Sequence, residues 1–357
     1  MKARLLGPDA PAWTDFLGRA RHDFYHLPAY SRMCAASDGG TAQALLVEDG
    51  ERALLLPVVV RAIPNGGGAL DATSPYGYPG TLVLAPETER AAFAREALFS
   101  ARELLKDQNW VTLFVRQNPI LGPAVDFAGA ADAATVPHGE TIAIDLTRSE
   151  EELWSDTMSG HRNEINRSLR ANHVVQIDID FEHVDRFVEI YQQTMTRVGA
   201  SAGYFFDRAY VVALKEALGA RLFLAVVRIG DVIAASGLFA ETCGIVQYHL
   251  SGTDTAFLKD RPTKVMLHHV RSWAKKRGNA VFHLGGGVGG ARDTLFKFKA
   301  GFSSGRAAFH TLRLVIDPPR YESLCAEKRS SATAHDSPAG DAAAVGQLTG
   351  FFPAYRR

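Results

Sequence analysis

The segment Ala280-Val-Phe-His-Leu-Gly-Gly-Gly-Val-Gly-Gly-Ala-Arg-Asp-Thr-Leu-Phe-Lys-Phe-Lys-Ala-Gly-Phe302 decides the fold of this chain. It consists of a short apolar run, a turn with glycine at five of the six positions 285–290, and a compact basic and aromatic segment. Glycine adopts positive φ readily and lets another backbone or a ligand approach closely. The pattern predicts a strand, a glycine turn and a short helix, with Gly285 and Gly287 as candidates for contact with a ligand.

The spacing Gly285-x-Gly287-x-x-Gly290 also matches a dinucleotide-binding fingerprint. That fingerprint requires a following helix, a second strand and an acidic residue about 20 residues further on for the ribose. The first acidic residue after Asp293 is Asp317, and too little patterned chain remains for a second nucleotide-binding half. The sequence therefore argues against a Rossmann domain.

Composition places the chain among globular proteins. It has 357 residues, of which 46% are hydrophobic and 22% are charged, and its length allows two domains. No apolar run approaches the roughly 20 residues needed to cross a membrane, and the first residues lack the apolar core of a signal peptide. The three cysteines are far apart, which argues against a disulfide framework and a cysteine zinc site. A cytoplasmic location is expected.

Positive charge is concentrated in one quarter of the chain, although the net charge is zero. Between Lys259 and Arg313 there are twelve Lys or Arg residues and two acidic residues, which gives 12 − 2 = +10. Such a cluster is either a solvated face or a surface for phosphates and nucleic-acid backbone. The sequence leaves both interpretations open.

The order of the predicted elements indicates two domains of similar layout. Residues 140–328 contain two helices, an antiparallel meander of three strands, a helix, a strand and the glycine turn. Residues 1–139 show a shorter, degenerate version of this order. The fold class is therefore α/β (α+β), with each domain a mixed, largely antiparallel sheet flanked by helices. Residues 329–347 are predicted to be a flexible tether, and the aromatic tail 348–357 is predicted to dock on the body of the protein.

Several motifs of the second half occur together in a known family. They are His249-Leu-Ser-Gly-Thr-Asp254, Arg261-Pro-Thr-Lys264, Trp273-Ala-Lys-Lys-Arg-Gly278, His283-Leu-Gly-Gly286, Leu295-Phe-Lys-Phe-Lys-Ala-Gly-Phe302 and the closing Phe351-Phe-Pro-Ala-Tyr-Arg356. With them, residues 140–320 resemble the second domain of Fem-type (FemABX-like) transferases of the GNAT acyltransferase superfamily. Residues 1–140 resemble the family only in layout. The resemblance implies tandem GNAT-like domains and transfer of an aminoacyl or acyl group to an amine. In this family the donor is commonly aminoacyl-tRNA and the acceptor a peptidoglycan precursor.

The segment Lys259-Asp-Arg-Pro-Thr-Lys264 departs from ordinary GNAT enzymes. Those enzymes bind the coenzyme A pyrophosphate with a glycine-rich loop at this position, whereas this segment contains no glycine. Proline also removes one of the N–H groups that an anion would use. We therefore expect aminoacyl-tRNA as the donor and no bound cofactor or metal, with acyl-CoA as the alternative donor.

Two neighbouring lysines are the candidates for catalysis. Lys299 matches the family's lysine beside the donor terminus, with Phe298 expected to stack on a base or ribose. Lys297 is the alternative. Because an aminoacyl ester is already activated, the enzyme has mainly to align the amine and stabilise the developing oxyanion. Ordinary solvation of the two lysines is the competing interpretation.

The remaining candidates would bind substrate. Arg162, Arg167 and Lys264 have side chains suited to phosphate groups. In the helix that contains Arg162, Ile165 and Leu169 are expected to face inward. Tyr204 and Tyr248 are candidates for lining an acceptor channel, and His283 is a candidate general base. Tyrosine and histidine are also common in protein cores, which is the competing interpretation for all three.

Other functions are less well supported by the sequence. It has no His-Glu-x-x-His metal motif and no Gly-x-Ser-x-Gly nucleophile turn. The adjacent His268 and His269 point apart on a helix and make a poor metal pair. A catalytically inactive transferase fold that binds RNA or a polysaccharide remains an alternative. The transferred group, the acceptor and the oligomeric state are not encoded in any recognisable motif.

Overall fold

The computed structural model describes residues 1–122, 125–127, 130–332, 348 and 350–357. These residues form two compact units, the first comprising Met1–His138 with Ala308–Arg357 and the second comprising Gly139–Ala307. Sequence order grouped residues 308–328 with the second domain, whereas in the structure they belong to the first unit. The reason is that residues 311–315 pair with a strand at 112–116 of the first unit. Most of the predicted tether, 333–347, lies outside the described residues.

The strands, in chain order, are β1 (Lys2–Leu6), β2 (Thr41–Asp49), β3 (Arg52–Ala62), β4 (Leu70–Thr73), β5 (Leu82–Leu84), β6 (Trp110–Arg116), β7 (Ala133–Asp145), β8 (Val174–Asp178), β9 (Leu222–Ile229), β10 (Val232–Thr242), β11 (Ile245–Thr253), β12 (Val281–Gly285) and β13 (Arg306–Val315).

The helices are α1 (Pro11–Arg19), α2 (Pro28–Asp38), α3 (Arg90–Ser100), α4 (Arg102–Asp107), α5 (Glu150–Asp156), α6 (Ser159–Arg170), α7 (Val184–Arg197), α8 (Arg208–Leu218), α9 (Thr263–Lys276), α10 (Thr294–Ala300) and α11 (Pro318–Ala332). Within the described residues, no helix is both long enough and apolar enough to cross a membrane.

In the first unit the strands are ordered β1-β2-β3-β4-β6-β13, and β5 also pairs with β3. The pairs are antiparallel except β4 with β6, which is parallel. The β2–β3 hairpin turns at residues 50–51, where Gly50 has φ +64°. Leucine and valine side chains of β2 and β3 form the core with α3, α4 and β6, and Trp110 is buried there.

The C-terminal tail packs on the first unit. Phe352 and Tyr355 are buried, and the Tyr355 hydroxyl lies 2.7 Å from Thr112 Oγ1. Arg356 pairs with the buried carboxylate of Asp71 through Nε and, at 3.0 Å, through Nη2. Burying an aromatic side chain of this size contributes about 1.5–3 kcal/mol, so the tail stabilises the unit.

In the second unit the strands are ordered β7-β12-β11-β10-β9-β8. The pairs are antiparallel except β11 with β12, which is parallel. A core of Phe223, Phe239, Met266 and Phe282 lies between this sheet and helices α5, α6 and α9. The predicted fold class, a mixed and largely antiparallel sheet flanked by helices, is confirmed. The strand expected at 141–146 is longer than predicted, since β7 begins at Ala133.

Candidate functional site in the second unit

The parallel strands β11 and β12 part after a short paired segment, and the gap between their inner edges is called the cleft below. Their pairing covers three positions and ends at Gln247 and His283 in the described structure. Beyond that point β11 stays paired with β10, and β12 stays paired with β7. Because each strand follows its outer neighbour, the two inner edges diverge. Ligands commonly bind at the carboxyl ends of parallel strands, and Tyr248 and Gly285 lie there.

The glycine turn after β12 brings its backbone close to other parts of the unit. Gly285 has φ +76°, a conformation that favours glycine. A Cβ on Gly287 would lie 2.1 Å from the carbonyl oxygen of Ala291, and one on Gly286 would lie 3.1 Å from that of Glu140. These close approaches explain the glycine density of the segment.

Asp293 joins this turn to α10. Its carboxylate accepts hydrogen bonds from the N–H of Phe296, at 2.8 Å, and of Val288, at 3.0 Å. Burial acts against ionisation, but these N–H groups and the nearby Lys299 ammonium lower the pKa of Asp293 overall. The aspartate is therefore an anionic helix cap, which suits the helix dipole. The segment Asp293-Thr-Leu-Phe296 carries a recognisable capping signal, from which this cap could have been predicted.

Lys299 points from α10 into the unit at the cleft. Its side chain is buried, with 8% of the residue exposed, and Nζ donates to the carbonyl oxygen of Gly286 at 2.8 Å. Nζ also lies 5.7 Å from the centre of the Tyr248 ring. Burial lowers the pKa of Lys299 from 10.5 to about 8, against the opposing charge of Asp293. The structure thus places a cation of reduced pKa beside the glycine turn and Tyr248.

Lys297 and Phe298 differ from Lys299 in their surroundings. Lys297 is exposed and makes no ion pair with the described residues. Phe298 is half-buried, and its ring packs against those of His161 and Phe302. Of the two lysines, Lys299 is therefore the one held in a fixed position by the fold.

Tyr248 and His283 occupy opposite faces of the sheet at the start of the cleft. The Tyr248 hydroxyl is hydrogen-bonded to Ser251, and burial raises its pKa to about 12. His283 is fully buried between Gln247 Oε1, 2.7 Å from Nδ1, and Thr141 Oγ1, 2.8 Å from Nε2. Burial, with the charge of Lys299, lowers the pKa of His283 to about 3, which keeps the ring neutral. These contacts are those of a core histidine, and they leave no ring nitrogen for a substrate.

Arg162 belongs to the first turn of α6, and its guanidinium lies at the C-terminal end of α5. Its Nη1 donates to the carbonyl oxygens of Trp154, Ser155 and Thr157, at 3.3, 2.9 and 2.7 Å. The last carbonyl groups of a helix lack the usual amide partners four residues further on, and a guanidinium is well suited to them. The contacts of Arg162 are therefore those of a helix cap, which the sequence did not reveal.

Arg167 on α6 and Lys264 on α9 are both engaged by other groups of the protein. Arg167 is exposed and donates to the carbonyl oxygen of Lys259 at 2.9 Å. Lys264 pairs with Glu164, which also pairs with Arg261. Burial and the charges of Arg261 and Arg167 lower the pKa of Lys264 to about 8.

His161 links this ion pair to α10. Its Nε2 donates to the carbonyl oxygen of Phe298 at 2.9 Å, and its Nδ1 accepts from Lys264 Nζ at 3.2 Å. Burial and the charge of Lys264 lower the pKa of His161. A Cβ on Gly301 would lie 2.4 Å from the same ring. The sequence contained Ser159-Gly-His161, but no spacing rule connects that histidine with residue 298.

Most of the basic run is engaged within the protein. Of its twelve cations, nine donate to other protein groups: Arg261, Lys264, Arg271, Lys275, Arg277, Arg292, Lys299, Arg306 and Arg313. Lys259, Lys276 and Lys297 are exposed and have no side-chain partner among the described residues. The charge cluster is therefore partly a set of structural contacts and not a continuous open surface.

Tyr204 stands apart from the other candidates. It lies in a short 3-10 helix (Ala202–Tyr204), is 37% exposed, and its carbonyl oxygen accepts from the Tyr191 hydroxyl at 2.5 Å. The described contacts bring together Lys299, Tyr248 and the glycine turn, but they do not connect Tyr204 with them. A groove of about 730 Å³ beside α3 is lined by none of the predicted site residues.

Comparison with known proteins agrees with this geometry. Residues 155–297 match the acetyltransferase (GNAT) domain family. No curated protein matches the sequence significantly. The structure is similar to the crystal structure of FemX, with a TM-score of 0.69 and 13% identity over 90% of this chain and 99% of that one.

Two further structures share the fold. One is the C-terminal domain of a putative lysylphosphatidylglycerol synthetase from Agrobacterium fabrum, with a TM-score of 0.54 and 13% identity over 90% of this chain and 96% of that one. The other is a conserved protein of unknown function from Bacteroides thetaiotaomicron, with a TM-score of 0.53 and 12% identity over 86% and 96% of the two chains. The chain therefore has the fold of FemX, and residues 155–297 match an acetyltransferase (GNAT) domain, so the predicted fold and enzyme class are confirmed.

Proposed function

We propose that this acyltransferase forms an amide by transferring an aminoacyl group from aminoacyl-tRNA to an amine. The observation that carries the proposal is the buried ammonium of Lys299 at the point where β11 and β12 part, 2.8 Å from the Gly286 carbonyl oxygen. A fixed cation in a site of low dielectric stabilises an oxyanion without reorganising during the reaction. A pKa of about 8 leaves Lys299 mostly protonated at neutral pH.

The chemistry needs no oxidant or metal in this proposal. The neutral amine attacks the ester carbonyl carbon, a C–N bond forms, and the carbonyl oxygen carries negative charge in the tetrahedral intermediate. The C–O bond to the ribose then breaks, and the amine's proton goes to the departing ribose oxygen. Lys299 would contact the donor terminus and stabilise the negative charge, with Tyr248 lining the cleft beside it.

The N-terminal end of α9 supports a donor other than coenzyme A. In GNAT enzymes that use coenzyme A, a glycine-rich loop at this place binds the pyrophosphate. In this chain Arg261 has φ +51°, Pro262 precedes the helix, and the side chains of Arg261 and Lys264 pair with Glu164. Positive charge that is already paired is less available to a pyrophosphate.

An acyl-CoA donor is the second candidate, favoured by the match of residues 155–297 to an acetyltransferase domain. Two structural neighbours are named FemX and a putative lysylphosphatidylglycerol synthetase, and these names describe the neighbours and not this chain. For this chain they support the aminoacyl donor only as analogy. The amine acceptor is proposed to be a cell-wall precursor or related small molecule, and the reaction is placed in the cytoplasm because charged tRNA is found there.

A donor screen tests the proposal. The purified chain is incubated with radiolabelled aminoacyl-tRNAs or with acetyl-CoA, together with pooled amine acceptors, in the presence and absence of RNase. We expect label in an amide product that is lost when RNase is added first. Transfer from acetyl-CoA that resists RNase would replace the tRNA donor with coenzyme A. Binding of RNA without any transfer would favour an RNA-binding module.

A further inference from the structure

The first unit has its own pair of parallel strands, β4 and β6, and Arg116 lies where they end. The last paired positions are Thr73 and Phe114. Beyond them the N–H of Ser74 donates to the carbonyl oxygen of Phe114 at 2.8 Å, and the N–H of Arg116 donates to Ser74 Oγ at 3.0 Å. These bonds fix the backbone of Arg116 at the carboxyl ends of both strands, a frequent position for ligand contacts in open sheets.

The guanidinium of Arg116 is poorly satisfied by the protein. It is partly buried, and its carbon lies 5.1 Å from the centre of the Phe114 ring. Among the described residues its one hydrogen-bond acceptor is the carbonyl oxygen of Ser74, 3.4 Å from Nη1, and no carboxylate lies within ion-pair distance. A guanidinium carries five N–H donors, so most of those of Arg116 have no partner in the part of the chain that the structure describes.

Arg61, whose charge acts on Arg116, shares its carboxylate partner Asp71 with Arg356, so this carboxylate is already engaged by two other arginines. Burial lowers the pKa of Arg116, and the charge of Arg61 adds to this effect, while Tyr76 and Asp38 act against it. An arginine stays protonated in such a setting, so its burial has a cost that a bound anion would offset.

We propose that Arg116 is the anchor of an oxyanion-binding site in the first unit, which takes a phosphate or a carboxylate group of a small molecule. The planar guanidinium suits two-point contact with such a group. Tyr76, in the loop after β4, is 40% exposed and close enough to interact electrostatically with Arg116, so its ring offers an aromatic surface near the guanidinium. If the proposed transferase function holds, the anion is part of the amine acceptor; the site itself is argued independently of that function.

The test is a calorimetric titration of the full chain with inorganic phosphate and, separately, with acetate at constant ionic strength. Three variants are compared with the wild type: Arg116→Met, Arg116→Lys and Arg95→Ala. Arg95 is exposed on α3 of the same unit, so its loss changes the net charge equally. Far-UV circular dichroism and a melting curve establish that each variant is folded.

We expect one anion to bind the wild type and Arg95→Ala with equal affinity. Arg116→Met should bind it at least about tenfold more weakly, since a charge-assisted two-point contact is lost, and Arg116→Lys should lie between. Tighter binding of phosphate than of acetate would identify a phosphate group, and the reverse a carboxylate. The proposal is overturned if the wild type binds neither anion, or if both Arg116 variants bind like the wild type. No donor is present in this assay, so failure of the transferase proposal would not affect it.

Discussion

Replacing Lys299 by methionine separates the energetic cost of the buried ammonium from its proposed role in transfer. Burial lowers the pKa of Lys299 from 10.5 to about 8. Because one pKa unit corresponds to about 1.4 kcal/mol, the folded protein disfavours the charged form by about 3 kcal/mol. The substitution removes this cost but leaves the Gly286 carbonyl oxygen without its donor, a loss of about 1–3 kcal/mol. At pH 7 the free energy of unfolding of Lys299→Met should therefore equal or exceed that of the wild type, by up to about 2 kcal/mol.

The pH dependence gives the sharper result. Above pH 8 Lys299 is neutral in the folded protein, whereas in the unfolded chain it stays protonated up to about pH 10.5. The unfolded state then binds more protons, so wild-type stability should rise by about 3 kcal/mol across this interval. Lys299→Met should lack this rise, and the exposed Lys297→Met should retain it. Urea denaturation at pH 7, 8.5 and 10 measures the difference. If the free energies of unfolding of Lys299→Met and the wild type changed equally with pH, the Lys299 ammonium would not be buried as the structure shows.

Three further predictions concern the structure around the cleft. Arg162→Ala should lower the free energy of unfolding by about 1–3 kcal/mol through loss of the α5 cap, measured by urea denaturation, and leave donor affinity unchanged. Gly287→Ala, whose Cβ would lie 2.1 Å from the Ala291 carbonyl oxygen, should lower stability by about 2 kcal/mol or more; an unchanged melting temperature would contradict this. Burial lowers the pKa of His283 to about 3. The neutral ring therefore contributes fully to the free energy of unfolding above pH 6.5, and this contribution falls at lower pH. Relative to His283→Gln, the wild type should therefore lose about 2 kcal/mol between pH 6.5 and 5, and equal losses would count against a neutral buried ring.

The sheet elements of the second unit were predictable because their local signals are strong. Alternating apolar residues and glycine-containing turns gave the β9–β11 meander, and the glycine run gave the turn before α10. The side of a helix that faces the core was less predictable. Leu169 was expected to face inward and is 49% exposed, whereas Ile165 and Ser168 are buried. Which side of a short polar helix is covered depends on its neighbours, so the spacing of two apolar residues did not decide it.

The roles of the charged residues were the least predictable. Arg162 was expected to bind phosphate, but its contacts depend on where α5 ends and how α6 starts, which is a tertiary property. Lys297 and Lys299 are two residues apart in the same basic and aromatic segment. Only the packing of α10 shows that Lys299 is buried and Lys297 is exposed. His161 was missed because its partners, Lys264 and the carbonyl oxygen of Phe298, are distant in sequence.

The boundary of the second unit illustrates the same limit. Residues 308–328 follow the basic segment directly, so sequence order assigned them to the second domain. Their backbone hydrogen bonds go instead to β6, a pairing between segments about 200 residues apart that no local pattern encodes.

The most direct test of the central claim is single-turnover transfer from radiolabelled aminoacyl-tRNA to the amine acceptor found in the donor screen. The wild type, Lys299→Met and Lys297→Met are compared, with equal folding shown by denaturation. We expect Lys299→Met to reduce the rate by about 100-fold or more, as for loss of a group that stabilises an oxyanion, and Lys297→Met to stay within about threefold of the wild type, as for an exposed side chain outside the cleft. Transfer by Lys299→Met at the wild-type rate would contradict the assignment of the cleft between β11 and β12 as the place of reaction.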